Sequence, residues 1–199
     1  KIKKLIRYRN IELINSAASR KKGLILLSGH YGNWELLAYS AGLLSGNSIG
    51  VVVTHQHNPY ADAHINSFRT RYNNTIIPTA NAARKIVQKL RNGETVALLA
   101  DQAADGSKDI FIDFFGRPAA TYEAPAALAL KFGSPIIIGF SKRDENGIYS
   151  VELKEILHND LEYSKAGIEE LTKRHVAALE QAIREQPELW AWQHNRWKK

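Results

Sequence analysis

The stretch Gly29-His30-Tyr31-Gly32-Asn33-Trp34-Glu35 holds the residues best suited to acid–base chemistry. An imidazole held by a carboxylate can take a proton from a hydroxyl, because histidine titrates near neutrality and the carboxylate favours its protonated form. On one continuous helix, residues five apart sit about 140° apart and do not easily meet. A strand end, a glycine-containing turn and a helix start change this. His30 then sits in the turn, and Glu35 falls in the first helical turn behind Asn33 as N-cap. The spacing also fits a structural histidine bonded to backbone, with Glu35 merely complementing the helix N-terminus. A second polar pair, Asp101-Gln102, ends the apolar run 95–100. In open α/β sheets ligands bind beyond the carboxyl ends of strands, so two such ends from separate segments point to a shared site.

The elements that must position these residues follow from pattern. Residues 23–27 read as a buried strand, 33–44 as a helix, 49–54 as a β-branched strand, 59–72 as a helix and 76–78 as a short strand. Thr79 is placed to cap a helix whose apolar face is Ala83, Ile86, Val87 and Leu90, closed by Asn92-Gly93. Residues 95–100 form the next buried strand, 122–132 a helix stopped by Gly133, and 136–138 a strand. Tyr149, Val151 and Leu153 alternate with polar residues, as in a half-exposed strand, and 168–185 are helical. Strand–helix alternation with uninterrupted apolar strands predicts a layered α/β fold: a mixed, largely parallel sheet flanked by helices.

At 199 residues, 44% of them hydrophobic, the chain suits one domain over 1–199, with no repeat and no linker. It has no cysteine, which excludes disulfides, a thiol nucleophile and thiolate-bound metal. It also has no methionine, even at position 1, and so reads as part of a longer precursor or a trimmed product. No run approaches the roughly 20 apolar residues that span a bilayer. The net charge is +7, unevenly spread. Lys1, Lys3, Lys4, Arg7, Arg9, Arg20, Lys21 and Lys22 face only Glu12, and the chain ends Arg196-Trp197-Lys198-Lys199. Such ends are either solvated tails or contacts for an anionic partner or membrane surface.

Two motifs are decoys, and a third feature is compositional only. Gly46-Asn47-Ser48-Ile49-Gly50 matches Gly-x-Ser-x-Gly formally, but a nucleophile elbow needs a strand before it and a helix after it, the reverse of the order here. His55, His57, Asp62 and His64 resemble a metal set, but their spacing fits no zinc motif and Pro59 interrupts them, so no metal is expected. The basic charge and tryptophans could suit nucleic acid, yet no nucleic-acid or nucleotide motif is present.

The stretch around His30 resembles the His-x4-Asp/Glu motif of glycerolipid acyltransferases, and more narrowly that of the lipid A biosynthesis acyltransferase family. Further blocks follow in the family's order: Asn58-Pro59 through Arg69-Thr70-Arg71, Ala100-Asp101-Gln102, Phe114-Phe115-Gly116-Arg117-Pro118-Ala119 with Thr121 and Pro125-Ala126, and Trp190-Ala191-Trp192-Gln193-His194-Asn195-Arg196-Trp197. The likeness covers residues 20–197. It departs at Asn73-Asn74, where a glycine-containing pair is expected, and the domain is expected to lack the family's N-terminal membrane anchor.

The resemblance implies a glycerolipid acyltransferase-like fold and transfer of a fatty acyl chain from an acyl carrier protein thioester to a hydroxyl of a lipid A precursor, with no cofactor. Coenzyme A is an alternative donor. His30 would be the general base and Glu35 its orienter, with no acyl-enzyme. Arg69, Arg71, Asp101, Gln102, Gly116 and Thr121 would bind substrate: the arginines as forks for phosphate, and Gln102, Arg69 or backbone N–H groups near Gly29 or Gly116 as oxyanion donors. The partners would be acidic carrier protein, glycolipid and membrane surface, at the cytoplasmic face of a bacterial inner membrane. Rival readings are another glycolipid acceptor, of the phosphatidylinositol mannoside kind, and a non-catalytic lipid-binding module.

Overall fold

A computed structural model describes residues 2–105 and 109–198, so the basic residues Lys1 and Lys199 lie outside the described residues. In chain order the elements are α1 (Ile2–Leu5), β1 (Ile6–Arg9), α2 (Glu12–Ser19), β2 (Leu24–Ser28), α3 (Trp34–Ser45), β3 (Ile49–Val53), α4 (Pro59–Arg69) and β4 (Thr75–Pro78). They continue as α5 (Ala82–Arg91), β5 (Thr95–Leu99), β6 (Ile110–Phe114), β7 (Arg117–Thr121), α6 (Ala124–Phe132), β8 (Ile136–Arg143), β9 (Tyr149–Ile156) and α7 (Lys165–Glu185). The fold is the mixed α/β layering that the sequence predicts.

Seven strands form one sheet in the order β1-β9-β8-β2-β5-β3-β4. The run from β8 to β4 is parallel, whereas β9 is antiparallel to β8 and carries β1 parallel to itself. The reversal needs only a tight turn through Gly147, because antiparallel neighbours close with a short connection and parallel ones need a crossover. Leu24 and Ile137 face α2 and α3, while Ile25, Leu27 and Ile136 face α6 and α7. Burial on both faces is why β2 reads as an unbroken apolar run.

The basic start of the chain is not a loose tail. Ile6 and Ile14 are buried, and β1 forms the sheet edge with Arg7 and Arg9 pointing out. Charged edge strands of this kind resist pairing with other chains. Thr79 opens a short 3₁₀ turn (Thr79–Asn81) and caps nothing; α5 starts at Ala82. Helix α6 starts at Ala124, two residues later than the pattern suggests, because β7 runs to Thr121 and Pro125 favours a first turn.

The β6–β7 hairpin turns through Phe115 and Gly116, both at positive φ (56° and 75°), as a type I′ turn requires. Positive φ also occurs at Tyr72 and Asn73 (57° and 66°), beside the place where a glycine-containing pair was expected. The backbone there is left-handed without glycine, and the following Asn74 is buried and donates to the Ala38 carbonyl. Among the described residues no helix is long and apolar enough to cross a membrane.

Candidate active site

Strand β2 delivers His30 through a turn whose shape depends on Gly32. Its φ is +59°, and a Cβ there would lie 1.8 Å from the Ser141 carbonyl oxygen. Helix α3 then starts at Trp34, with Asn33 Oδ1 accepting from the Leu36 N–H at 2.9 Å as expected of an N-cap. Strand β5 ends at Leu99 and delivers Asp101, which is 2% exposed.

The two strand ends meet. Asp101 Oδ1 contacts His30 Nδ1 at 2.8 Å, and Asp101 Oδ2 accepts from the His30 backbone N–H at 2.8 Å. The Trp190 indole N–H also donates to Oδ2, at 2.9 Å. An ionised carboxylate only accepts, so Nδ1 carries the proton and Nε2 is the nitrogen presented to a substrate. Burial would raise the Asp101 pKa, but the His30 side chain, then Trp190 and the His30 N–H, outweigh it and hold the carboxyl below its usual range.

The expectation that Glu35 orients His30 is therefore corrected, because Asp101 occupies that position. Glu35 points across to α4, where Arg69 grips both its oxygens: Nε donates to Oε2 at 2.8 Å and Nη2 donates to Oε1. The physical reason is that His30 lies before the helix and turns its ring towards β5. The first turn of α3 aims Glu35 the other way. Trp34 stands edge-on to His30, with ring centroids 5.1 Å apart.

A cavity of about 750 Å³ opens at this point, lined by His30, Trp34, Glu35, Arg69 and Gln102 at its polar end. Its wall comes from both faces of the sheet: Leu26, Ala38, Ala41 and Val51 beneath α3, and Leu27, Val52, Ile86 and Leu128 on the other side. Small side chains, Ala38 and Ala41 on α3 and Ala97 on β5, are part of this lining.

The remaining sequence candidates are scattered. Arg71 stacks on Phe68, its guanidinium 4.7 Å from the ring centroid. Gly116 sits at the hairpin turn, its N–H donating to Asp113 at 2.9 Å. Thr121 is fully buried and accepts from Arg196 at 2.6 Å. Neither Gly116 nor Thr121 lines the cavity. Ser48 donates to the Asn73 carbonyl at 2.6 Å, and His55 pairs with Asp62 at 2.9 Å, so the two decoy motifs serve local structure.

Sequence reasoning missed the site role of the C-terminal stretch. Gly32 N–H donates to the Leu189 carbonyl at 2.8 Å, and Ala191 N–H donates to the His30 carbonyl at 2.9 Å. His194 Nε2 accepts from the Ala103 N–H at 3.0 Å, and buried Arg196 donates to the Ala120 carbonyl. The signal available was the density of polar-tipped residues in Trp190–Trp197, where only Ala191 lacks a polar side-chain group.

A comparison with curated proteins finds no match. The family model for the bacterial lipid A biosynthesis acyltransferase matches residues 1–199. The chain belongs to that family, and it is an acyltransferase.

Proposed function

We propose that the protein moves a fatty acyl chain from an acyl carrier protein thioester, or from coenzyme A, to a hydroxyl of a lipid A precursor, with His30 as general base. The observation that carries this reading is the His30–Asp101 pair at the mouth of an aliphatic-walled cavity. Family membership supports the acceptor class. The acyl chain lies along the apolar wall, with its thioester carbonyl at the polar end.

His30 Nε2 takes the proton as the acceptor oxygen attacks the carbonyl carbon. The C–S bond then breaks, and the same proton passes to the leaving thiolate. General-base help of this kind contributes about 10²–10⁴-fold. Gln102, next to Asp101 in sequence and lining the cavity with His30, supplies an amide donor for the oxyanion, an interaction worth about 3 kcal/mol. The three nitrogens of Arg69 bond Glu35 and Asn66, so Arg69 shapes the rim unless a phosphate displaces Glu35. Arg71 is the second cation for substrate phosphate.

The protein works at a membrane surface, on the cytoplasmic face of the bacterial inner membrane. The net charge of +7 favours an anionic leaflet and an acidic carrier protein. The thioester is the co-substrate and no metal takes part. Purified H30A should lose at least 10²-fold in acyl transfer to a hydroxylated lipid, by the worth of a general base. Transfer that survives H30A sinks the mechanism. Mass spectrometry of lipids from cells with and without the gene tests the acceptor: a missing acyl chain on lipid A supports it, and an altered lipid of another class overturns it.

A further inference from the structure

We propose that Trp190 is a positioning residue for His30, acting through Asp101. The inference rests on His30 being the base. Asp101 has two oxygens and three protein donors. Oδ1 serves the His30 imidazole, while Oδ2 is shared by the His30 backbone N–H and the Trp190 indole N–H. Two anchors on Oδ2 fix the plane of the carboxylate, and that plane decides where Oδ1 points. Without the indole, the carboxylate can turn about the single remaining bond on that oxygen.

Trp190 is itself held on every side. It is 4% exposed, and its ring meets Phe114 at 5.5 Å and Trp192 at 4.6 Å between centroids. Its backbone pairs with Tyr31 in an isolated antiparallel bridge. The hydrogen bonds on both sides of that bridge run to the His30 turn: Leu189 receives the Gly32 N–H, and Ala191 donates to the His30 carbonyl. The same tail segment thus clamps the backbone of the base and the carboxylate behind it. Among the described residues, His194 and Arg196 of this tail also interact electrostatically with Asp101.

The chemistry gives a direction. An indole N–H stabilises the carboxylate charge without adding charge of its own. Removing it concentrates the negative charge on His30, which favours the imidazolium and raises the pH at which the free base appears. W190F keeps a ring against Phe114 and Trp192 but deletes the N–H. With full-length protein, an acyl thioester and a hydroxylated acceptor lipid, kcat at neutral pH should fall about tenfold, the effect of one hydrogen bond to a charged group. KM should stay within a factor of two, and the acid limb of the kcat–pH profile should move to higher pH. The His30 Nδ1 proton resonance in the NMR spectrum should move as well.

A purely structural tryptophan would lower yield or Tm and leave the pH limb and the Nδ1 resonance in place, which overturns the proposal. If W190F fails to fold, 3-benzothienylalanine at position 190 keeps the bicyclic shape without a donor, and the same readings apply. H30A run alongside separates the two ideas. Activity retained in H30A removes the base reading. Activity lost in H30A but unchanged in W190F, at every pH, removes only the role of Trp190.

Discussion

Two carboxylates stand near one cavity mouth, Glu35 in its lining and Asp101 behind His30, and their surroundings differ. Asp101 is buried at a strand end, with three donors and no solvent. Glu35 is on a helix, its side chain 43% exposed and paired with Arg69 across the rim. Hydrogen bonds in a poorly solvated interior are electrostatically stronger and more directional than those shared with water. A half-exposed ion pair is screened and contributes about 1 kcal/mol or less. The acid that is nearer in sequence therefore closes the rim, and the acid on the neighbouring strand holds the His30 imidazole.

The contrast can be broken most directly at Asp101. D101N should lower kcat by about 10³-fold or more with KM little changed, since an amide no longer enforces the tautomer that leaves Nε2 free to accept. Steady-state kinetics at saturating thioester would check this. E35Q and R69Q should each cost about tenfold or less, mainly in KM, in line with an exposed pair. The double variant should lose little more than either single one. An E35Q defect as large as that of D101N would break the comparison.

A smaller effect sharpens it from a second buried titratable group. His175 on α7 has no carboxylate; burial first, then the nearby Arg196 charge, lower its pKa to about 4. Its neutral form is favoured in the folded state, so the stability is fully present above the unfolded value near 6.5 and is lost as pH falls towards 4. The loss amounts to on the order of 3 kcal/mol at the acid end. Wild-type Tm should fall through this window by several degrees, and H175Q should show a flatter slope there. Equal slopes would mean that other groups carry the acid sensitivity.

Much of this was legible in the chain. The apolar runs, Asn33 as cap and the stops at Gly93 and Gly133 follow from local chemistry and agree with the structure. Asp101 was visible as a polar strand end, because its position depends only on where β5 stops. That it bonds to His30 depends on β2 and β5 lying side by side in register, Ser28 opposite Leu99, which no local pattern states. Closeness along the chain drew attention to Glu35, because it is the one relation a short stretch can express. Strand β1 was hidden by its arginines, which suit an edge and look like a tail. The β6–β7 turn carries only Gly116 as a signal, with Phe115 beside it in a conformation that sequence disfavours. Trp190 is 89 positions from the carboxylate it touches, beyond the reach of any periodicity.

That distance has a bearing on when the protein becomes reactive. Strands β2 and β5 can pair once their residues have emerged, but the strap from Leu189 to Arg196 is made long afterwards. Contacts so far apart in sequence close late in folding. Until they do, the His30 turn lacks the Leu189 and Ala191 bonds and Asp101 lacks its third donor. A nascent or partly folded chain would carry the apolar cavity without a fixed His30 imidazole. Under the proposed mechanism, such a chain would lack transfer activity until the strap closes.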